Sequence, residues 1–384
     1  MISQFRNSAI YLLPVVLLVV AGLSAHALRE RRLLLLGDDA QHAGSAMKSD
    51  IAANDAAAPM LEFVNVALGG FRGLVADMLW LRAGRLQEER RFVELAQLSD
   101  WITKLEPRLA EVWVYHAWNM AYNISVLMQR PEDRWLWIQN GIELLRDSAI
   151  PLNPRDTTIQ RELGWIFQHK LGADSDRHAA FYRSRWASDI GQYLDPDGAI
   201  PDDSEYAASE LLERFRMEPA LMREIEARFG RIDWRLPHAQ SLYWAWRGLK
   251  TAPPSERLRC RRMIYVSLME MALNKRGVLT GDPSREDYEF AARPNPTLIL
   301  PTSVFVEETM RAHELNGIRN FYTNFLFQGM KFLALTGDEQ SARLMHSKLA
   351  AFFAAAQLQF PPYEQALIAP DDFIPNLMRQ AGYN

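Results

Sequence analysis

The residue types that perform catalysis or bind metals are present in this chain, but their spacing does not match known sites. Eight histidines occur, and none pairs with another at the spacing of metal ligands. The segment HELNG at 313–317 begins like a zinc-protease helix, but Gly317 stands where a second histidine is required. The sequence also lacks a glycine-rich phosphate loop and a G-x-S-x-G turn. We therefore expect no metal, no cofactor and no catalytic residue, and we do not predict an enzyme.

The single cysteine, Cys260, can form neither an intramolecular disulfide nor a cysteine metal site. Its neighbours Arg259 and Arg261 could lower the pKa of the thiol. Nothing else around it has the pattern of a nucleophile's surroundings. We interpret Cys260 as a structural residue on the surface or in the core of a helix.

One acidic segment, DPDGAIPDDSE, resembles part of a calcium-binding loop. Asp195, Asp197 and Gly198 match the middle of such a loop, whereas its first and last ligand positions hold Tyr193 and Ser204. With both ends missing, the segment is better interpreted as a polar loop that caps a helix beginning near Ser204.

Composition indicates a folded chain that does not bind nucleic acid. Hydrophobic residues make up 48% of the 384 residues and charged residues 23%, and the net charge is −4. The first 36 residues carry four arginines against one glutamate, so the excess negative charge lies in the remainder. A nucleic-acid-binding surface normally needs a basic face. The basic run RLRCRR at 257–262 is more typical of the solvated face of a helix.

The N-terminus carries a predicted membrane anchor, residues 1–36. Residues 7–28 contain no charged side chain, and a helix of this length can cross a hydrocarbon core of about 30 Å. AHA at 25–27 resembles a signal-peptide cleavage site, but the arginines at 29–32 disfavour cleavage. We expect a retained single-pass anchor in the inner (cytoplasmic) membrane, with cleavage as the alternative.

The positive charges on the two sides of the predicted span do not decide its orientation in the membrane. Arg6 and the α-amino group precede the span and three arginines follow it, which slightly favours a cytoplasmic body. Bacterial proteins with one N-terminal span and a very short leading tail usually have their bodies outside that membrane. We expect the body to be extracytoplasmic, with a cytoplasmic body as the alternative.

The rest of the chain is predicted to be all-α. Residues 37–59 are rich in Ala, Ser, Asp and Gly and predict a flexible tether. From Met60 onward, helical patterns are separated by prolines and glycines at short intervals, and no segment is convincing as a strand. Residues 236–277 predict a helical hairpin that turns at APPSE.

Four residues in the first helical segments have a repeating spacing. Trp80, Gly84, Ala96 and Pro107 follow one another at intervals of 4, 12 and 11 residues. This pattern resembles the tetratricopeptide repeat, whose two antiparallel helices recur about every 34 residues. In that family the glycine and the small residue lie where the helices cross, and the proline ends the unit. The resemblance departs at Gln87, where an aromatic residue is usual, and at Pro107, which comes one residue early.

Further matches to the repeat occur along the chain, at Trp113 and Ala117, at Leu163, Gly164 and Phe167, and at Gly337 and Ala342. The resemblance implies an α-solenoid that follows the anchor and tether. We divide the body into repeat-like hairpins at 60–190, irregular hairpins with long loops at 191–303, and a C-terminal hairpin and tail at 304–384. The chain is also similar to uncharacterised membrane-anchored bacterial proteins of this kind, which implies no particular activity.

A binding groove follows from the same resemblance. Stacked hairpins curve, and their first helices line a concave face. The residues expected on that face are Arg85, Glu89, Trp118, Tyr122, Trp165 and His169. Aromatic side chains beside charges suit the recognition of an extended peptide or of a partner's helix. The alternative is that Trp118 and Trp165 only pack against the next repeat.

Three functions fit these features. The first is a membrane-anchored scaffold or adaptor that binds other proteins of the membrane or cell envelope. The second is an enzyme on a helical superhelix, for example one that cleaves glycans, although the Glu-Ser step typical of such lytic enzymes is absent. The third is an accessory subunit of a membrane transporter. The sequence does not separate the first from the third.

Overall fold

The structure is a computed structural model that describes residues 72–201, 204–283, 290–313, 319–356, 375 and 379. The predicted anchor, the tether and most of the HELNG segment lie outside these residues. Helices account for most of what is described, so the predicted all-α class is confirmed. No helix in this part of the chain has the length and apolarity needed to cross a membrane.

The chain divides into two compact units, Met1–Val112 and Trp113–Asn384. In the first unit, α1 (Arg72–Glu88) packs against α2 (Phe92–Leu105). Leu95, Leu98, Ile102 and Leu105 of α2 are buried, at the three- and four-residue spacing of one helix face. The helix ends two residues before Pro107, where the sequence places its end.

In the second unit, three long helices contain a π-helical segment. Helix α3 (Ala110–Trp118) begins in the first unit; the other α-helical parts are α4 (Pro131–Glu143), α5 (Ile150–Leu152) and α6 (Thr157–Trp165). The π segments are Asn119–Ile124 after α3, Leu144–Ala149 between α4 and α5, and Ile166–Leu171 after α6. A 3₁₀ turn, Ser125–Leu127, ends the first of these helices.

Shorter helices follow and lead into the predicted hairpin. They are α7 (Ala179–Gly191), α8 (Glu205–Phe215), α9 (Pro219–Phe229), α10 (Pro237–Thr251) and α11 (Pro254–Leu273). Ser204 caps α8 by accepting a hydrogen bond from the Ala207 N–H at 3.1 Å, which agrees with the predicted helix start. The hairpin predicted at 236–277 is confirmed, because α10 and α11 pack together around a turn at Ala252 and Pro253.

The end of the described chain is again helical, with one exception. Helices α12 (Ile299–His313), α13 (Arg319–Leu335) and α14 (Glu339–Ala356) follow a 3₁₀ turn, Pro296–Leu298. Before them, β1 (Val278–Thr280) and β2 (Ala291–Arg293) pair antiparallel, with Leu279 opposite Ala292. Sequence patterning missed these strands because three residues are too few to show an alternation.

Helix crossings use small residues, but one predicted crossing is wrong. A Cβ added to Gly164 would lie 2.8 Å from Met263 Sδ and 3.3 Å from the Ser241 carbonyl oxygen, so α6 meets α10 and α11 closely there. Gly141 of α4 similarly faces the backbone of Ala117, whose carbonyl oxygen would be 3.0 Å away. Gly84, in contrast, is exposed, and no described residue lies within 4 Å of its added Cβ. The buried small residues of α1 are Ala76 and Ala83.

The other predicted repeat residues differ in burial and in backbone conformation. Ala96, Trp113, Leu163, Phe167 and Ala342 are buried, while Trp80 is half-buried. Gly337 has φ of +85° in the turn between α13 and α14, where the left-handed conformation favours glycine. The partners of Gly164 lie about 80 and 100 residues further along the chain, so this crossing is not made within a hairpin of neighbouring helices.

A buried ion pair fixes the loop that resembled a calcium site. Both Asp233 carboxylate oxygens accept hydrogen bonds from Arg235, at 2.8 Å each, and the Leu279 N–H donates to Asp233 at 2.8 Å. Arg235 also donates to the Pro196 carbonyl. Gly198 has φ of +82°, and its added Cβ would lie 1.9 Å from Asp233 Oδ1. The loop at 195–200 is thus held by protein contacts, as the polar-loop interpretation expects.

The two glycines allow a matched stability test. Gly164→Leu should lower the free energy of unfolding by about 1–3 kcal/mol, because the new side chain has no room against α10 and α11. Gly84→Leu should leave it unchanged or raise it by up to about 1 kcal/mol, because an exposed helical glycine gains helix propensity. Urea unfolding of the full-length variants measures both. Equal losses at the two positions would contradict the packing described above.

Candidate functional site

Four of the six predicted groove residues meet in the second unit. Trp118 and Tyr122 lie one turn apart at the end of α3 and in its π segment, and Trp165 and His169 occupy the corresponding places at the end of α6. Side chains four residues apart share a helix face. The two faces meet, so the four rings form one contiguous cluster, called the aromatic stack below.

The rings of the aromatic stack follow one another in the order Trp118, Tyr122, His169, Trp165. Successive ring centroids are 4.7, 5.8 and 5.0 Å apart, and the interplanar angles are 31°, 39° and 10°. Offset aromatic pairs at these distances attract each other beyond simple area burial. Trp118 is 37% exposed, and the other three rings are half-buried.

Hydrogen bonds fix the orientation of the stack. Trp118 Nε1 donates to Glu162 Oε2 at 3.2 Å, and Tyr122 OH lies 3.3 Å from His169 Nδ1. Arg161 holds Glu162 from the other side at 2.9 Å and also donates to Glu256 of α11 at 2.6 Å. The Trp118 indole is therefore tied to α6, and α6 is tied to the α10–α11 hairpin.

A buried charged network lies under Tyr122. Lys170 Nζ is 5.3 Å from the centroid of the Tyr122 ring and 2.9 Å from Asp176 Oδ2. Asp176 Oδ1 accepts a hydrogen bond from Tyr182 OH at 3.2 Å and lies 3.7 Å from Arg134 Nη1. The Lys170 and Asp176 side chains are only 4% and 6% exposed. Such a network holds its geometry because each charge has a partner.

The stack is uncharged at neutral pH. Burial, followed by the nearby Glu162 carboxylate, raises the pKa of Tyr122 well above its usual range, so its hydroxyl stays protonated. Burial, followed by the Lys170 charge, lowers the pKa of His169, so its imidazole stays neutral. The tyrosine hydroxyl can then donate to a neutral His169 Nδ1, which gives the stack a polar but uncharged face.

Two of the four rings of the stack are carried by π-helical segments. A π segment widens the helix and is frequent at functional sites. Tyr122 and His169 both lie inside such segments, four residues into each. The indole nitrogen of Trp165, however, is buried and has no hydrogen-bond partner in the described part of the chain. Trp165 thus packs partly as a core residue, while Trp118 is the exposed end of the stack.

The other two predicted groove residues, Arg85 and Glu89, lie in the first unit. Both are exposed, Arg85 in the last turn of α1 and Glu89 in the turn that follows it. They line a shallow depression of about 320 Å³ together with Met78, Leu81 and Leu86. Met78 and Leu81 are 59% and 71% exposed, so this depression has an apolar side.

The other residues considered for catalysis or metal binding lie in surroundings typical of structural residues. Cys260 is buried, and burial raises the pKa of its thiol to about 11, so the neighbouring arginines do not activate it. Within the described ranges, no group of three or more His, Cys, Asp or Glu side chains is placed to hold a metal ion. Sequence reasoning missed the network of Lys170, Asp176 and Arg134, whose members lie in unrelated segments with no motif to join them.

Comparison of the chain with protein-family models, with curated proteins and with solved structures finds no match.

Substituting two nearby aspartates in turn tests whether the buried network contributes more to stability than surface ion pairs do. Asp176→Asn should lower the free energy of unfolding by about 3 kcal/mol or more, because Lys170 and Arg134 lose their buried counter-charge. Asp174 pairs with Arg183 and Arg276, but its side chain is 73% exposed. Asp174→Asn should therefore cost no more than about 1 kcal/mol. Urea unfolding followed by tryptophan fluorescence gives both values, and similar losses would show that the Asp176 network contributes no more than surface charge.

Proposed function

We propose that the chain is a membrane-tethered adaptor whose helical body binds partner proteins of the cell envelope. The observation that carries this proposal is the aromatic stack, in which four uncharged rings lie in one row with Trp118 exposed at its end. Trp and Tyr are enriched among the residues that dominate binding at protein interfaces. An exposed indole on a fixed support offers a large contact area with little loss of side-chain entropy.

The surroundings of the stack favour protein binding over chemistry. Its side chains are held in place by Glu162 and by the network under Tyr122, so the surface is ordered before a partner arrives. Pre-ordering reduces the entropy lost on binding. With the Tyr122 hydroxyl donating to His169 Nδ1, the His169 Nε2–H and the lone pairs of that hydroxyl remain to set the register of a bound peptide or helix.

The membrane part of the proposal rests on the sequence. Residues 7–28 supply an uncharged segment long enough to cross the inner membrane once, and residues 37–59 supply the tether. The body then lies on the extracytoplasmic side.

We further propose that the body is a solenoid of hairpins similar to tetratricopeptide repeats. The close approach of Gly141 to Ala117, in two consecutive helices, supports this arrangement. The turn at Gly337 between α13 and α14, followed by buried Ala342, also supports it. The exposed position of Gly84 and the long-range partners of Gly164 mean that any repeat is irregular.

Crosslinking in intact cells, followed by pull-down from salt-washed membranes, tests this function. The full-length chain should remain in the washed membranes and should capture discrete envelope proteins. Trp118→Ala should weaken this capture by about 2 kcal/mol, or about 30-fold, because the main exposed contact is removed. Leu136→Ala is the matched control, since Leu136 is 55% exposed on α4 and lies outside the stack.

Two outcomes would contradict the proposal. If Trp118→Ala lowers the unfolding temperature but captures partners normally per folded molecule, Trp118 is a packing residue. If salt releases the full-length chain from membranes, residues 7–28 do not anchor it. A captured transporter would identify the adaptor as an accessory subunit.

A further inference from the structure

A second surface of the second unit, away from the residues of the aromatic stack, is a groove between α11 and α13. It encloses about 700 Å³, and its apolar lining includes Tyr265, Met269 and Leu273 from α11 and Phe321, Phe325 and Phe332 from α13. The three α11 residues follow one another at intervals of four, so they form one stripe along that helix. We call this surface the α11–α13 groove.

The groove has a buried floor and an exposed apolar wall. Tyr265 and Phe325 are 2% and 3% exposed, whereas Phe321 is 47% exposed. The Phe321 ring lies 6.2 Å from the Tyr265 ring and leaves much of its surface to solvent. An exposed phenylalanine beside a continuous apolar stripe is typical of a surface that another molecule covers.

The length of the groove fits a helix of about three turns. Its α11 side runs from Arg262 to Asn274, and its α13 side runs from Phe321 to Phe332. At about 1.5 Å per residue, both sides are roughly 17 Å long. An amphipathic helix of 11 or 12 residues would place apolar side chains along this whole length, as in other helix-in-groove complexes.

The charges around the groove are unbalanced. Arg262 at one end and Lys275 just beyond the other are exposed, and neither forms a hydrogen bond or ion pair with any residue of the described segments. Glu270, the acidic residue of the lining, already binds Asn274 Nδ2 at 3.0 Å and pairs with Arg276. Two cations that have no ion-pair partner among the described residues therefore bracket an apolar stripe, which complements an acidic ligand.

From these observations we propose that the α11–α13 groove binds an acidic amphipathic helix of a partner protein. The apolar face of the helix packs between Tyr265, Phe321 and Leu273, and acidic side chains near its two ends pair with Arg262 and Lys275. A second copy of the chain fits less well in a symmetric contact, because a two-fold pairing of grooves would bring these cations towards each other. The inference does not depend on the aromatic stack.

A display library of 14-residue amphipathic helices with varied charge, selected on the full-length chain, tests the proposal. Enriched peptides should share apolar residues at i, i+3 or i+4 and i+7, with acidic residues near both ends. Their affinity should fall at least tenfold for Phe321→Lys, which puts a charge on the apolar wall, and should be unchanged for Trp118→Ala. Circular dichroism of each variant confirms that it is folded.

A charge reversal makes the test specific. Arg262→Glu should weaken the enriched acidic peptide at least tenfold and should strengthen a matched peptide whose terminal acid is replaced by lysine. The proposal is overturned if no helical peptide is enriched, which would mean that the chain's own residues or nothing fill the groove. It is also overturned if the peptides bind Phe321→Lys equally well, or if sedimentation shows a dimer that Phe321→Lys dissociates.

Discussion

The close contact at Gly164 is the constraint on which the second unit depends. With no side chain at this position, α6 can lie against the α10–α11 hairpin, and its neighbours Leu163 and Phe167 can be fully buried. The contact also determines where the other side of α6 points. Because one side of α6 is fixed in the core, the side that carries Trp165 and His169 is held in a defined direction, against the face of α3 and its π segment that carries Tyr122.

Buried charge is the second feature that shapes this unit. Lys170 and Asp176 lie beneath the aromatic stack, and Asp233 and Arg235 join the loop at 195–200 to β1. Burying a charge is unfavourable unless it is paired and hydrogen-bonded. Each pair therefore tolerates few alternative arrangements of the segments that it joins.

Local signals in the sequence predicted local structure well. The N-cap at Ser204, the helix end before Pro107 and the turn at Ala252 and Pro253 each depend on a few consecutive residues, so they could be read without the fold. The clustering of Trp118 with Trp165 could also be expected, since both lie on helix faces. Gly84 and Gly164 show the limit of this approach. Their local sequences look alike, and only contacts with distant helices distinguish an exposed glycine from a buried one.

What the sequence could not supply were the contacts between distant segments. The partners of Gly164, the pairing of Lys170 with Asp176 beneath Tyr122, and the groove between α11 and α13 all require the tertiary fold. The π segments that carry Tyr122 and His169 have no sequence signature that we recognise.

We propose that the exposed end of the aromatic stack is covered by another protein in the native envelope. Hydroxyl-radical footprinting compares Trp118 in the purified chain and in intact envelopes, with Tyr206 as an internal reference because it is 68% exposed on α8. On this proposal, Trp118 is oxidised in the purified chain and protected several-fold in the envelope, while the reactivity of Tyr206 is unchanged. Equal oxidation of Trp118 in both preparations would contradict it.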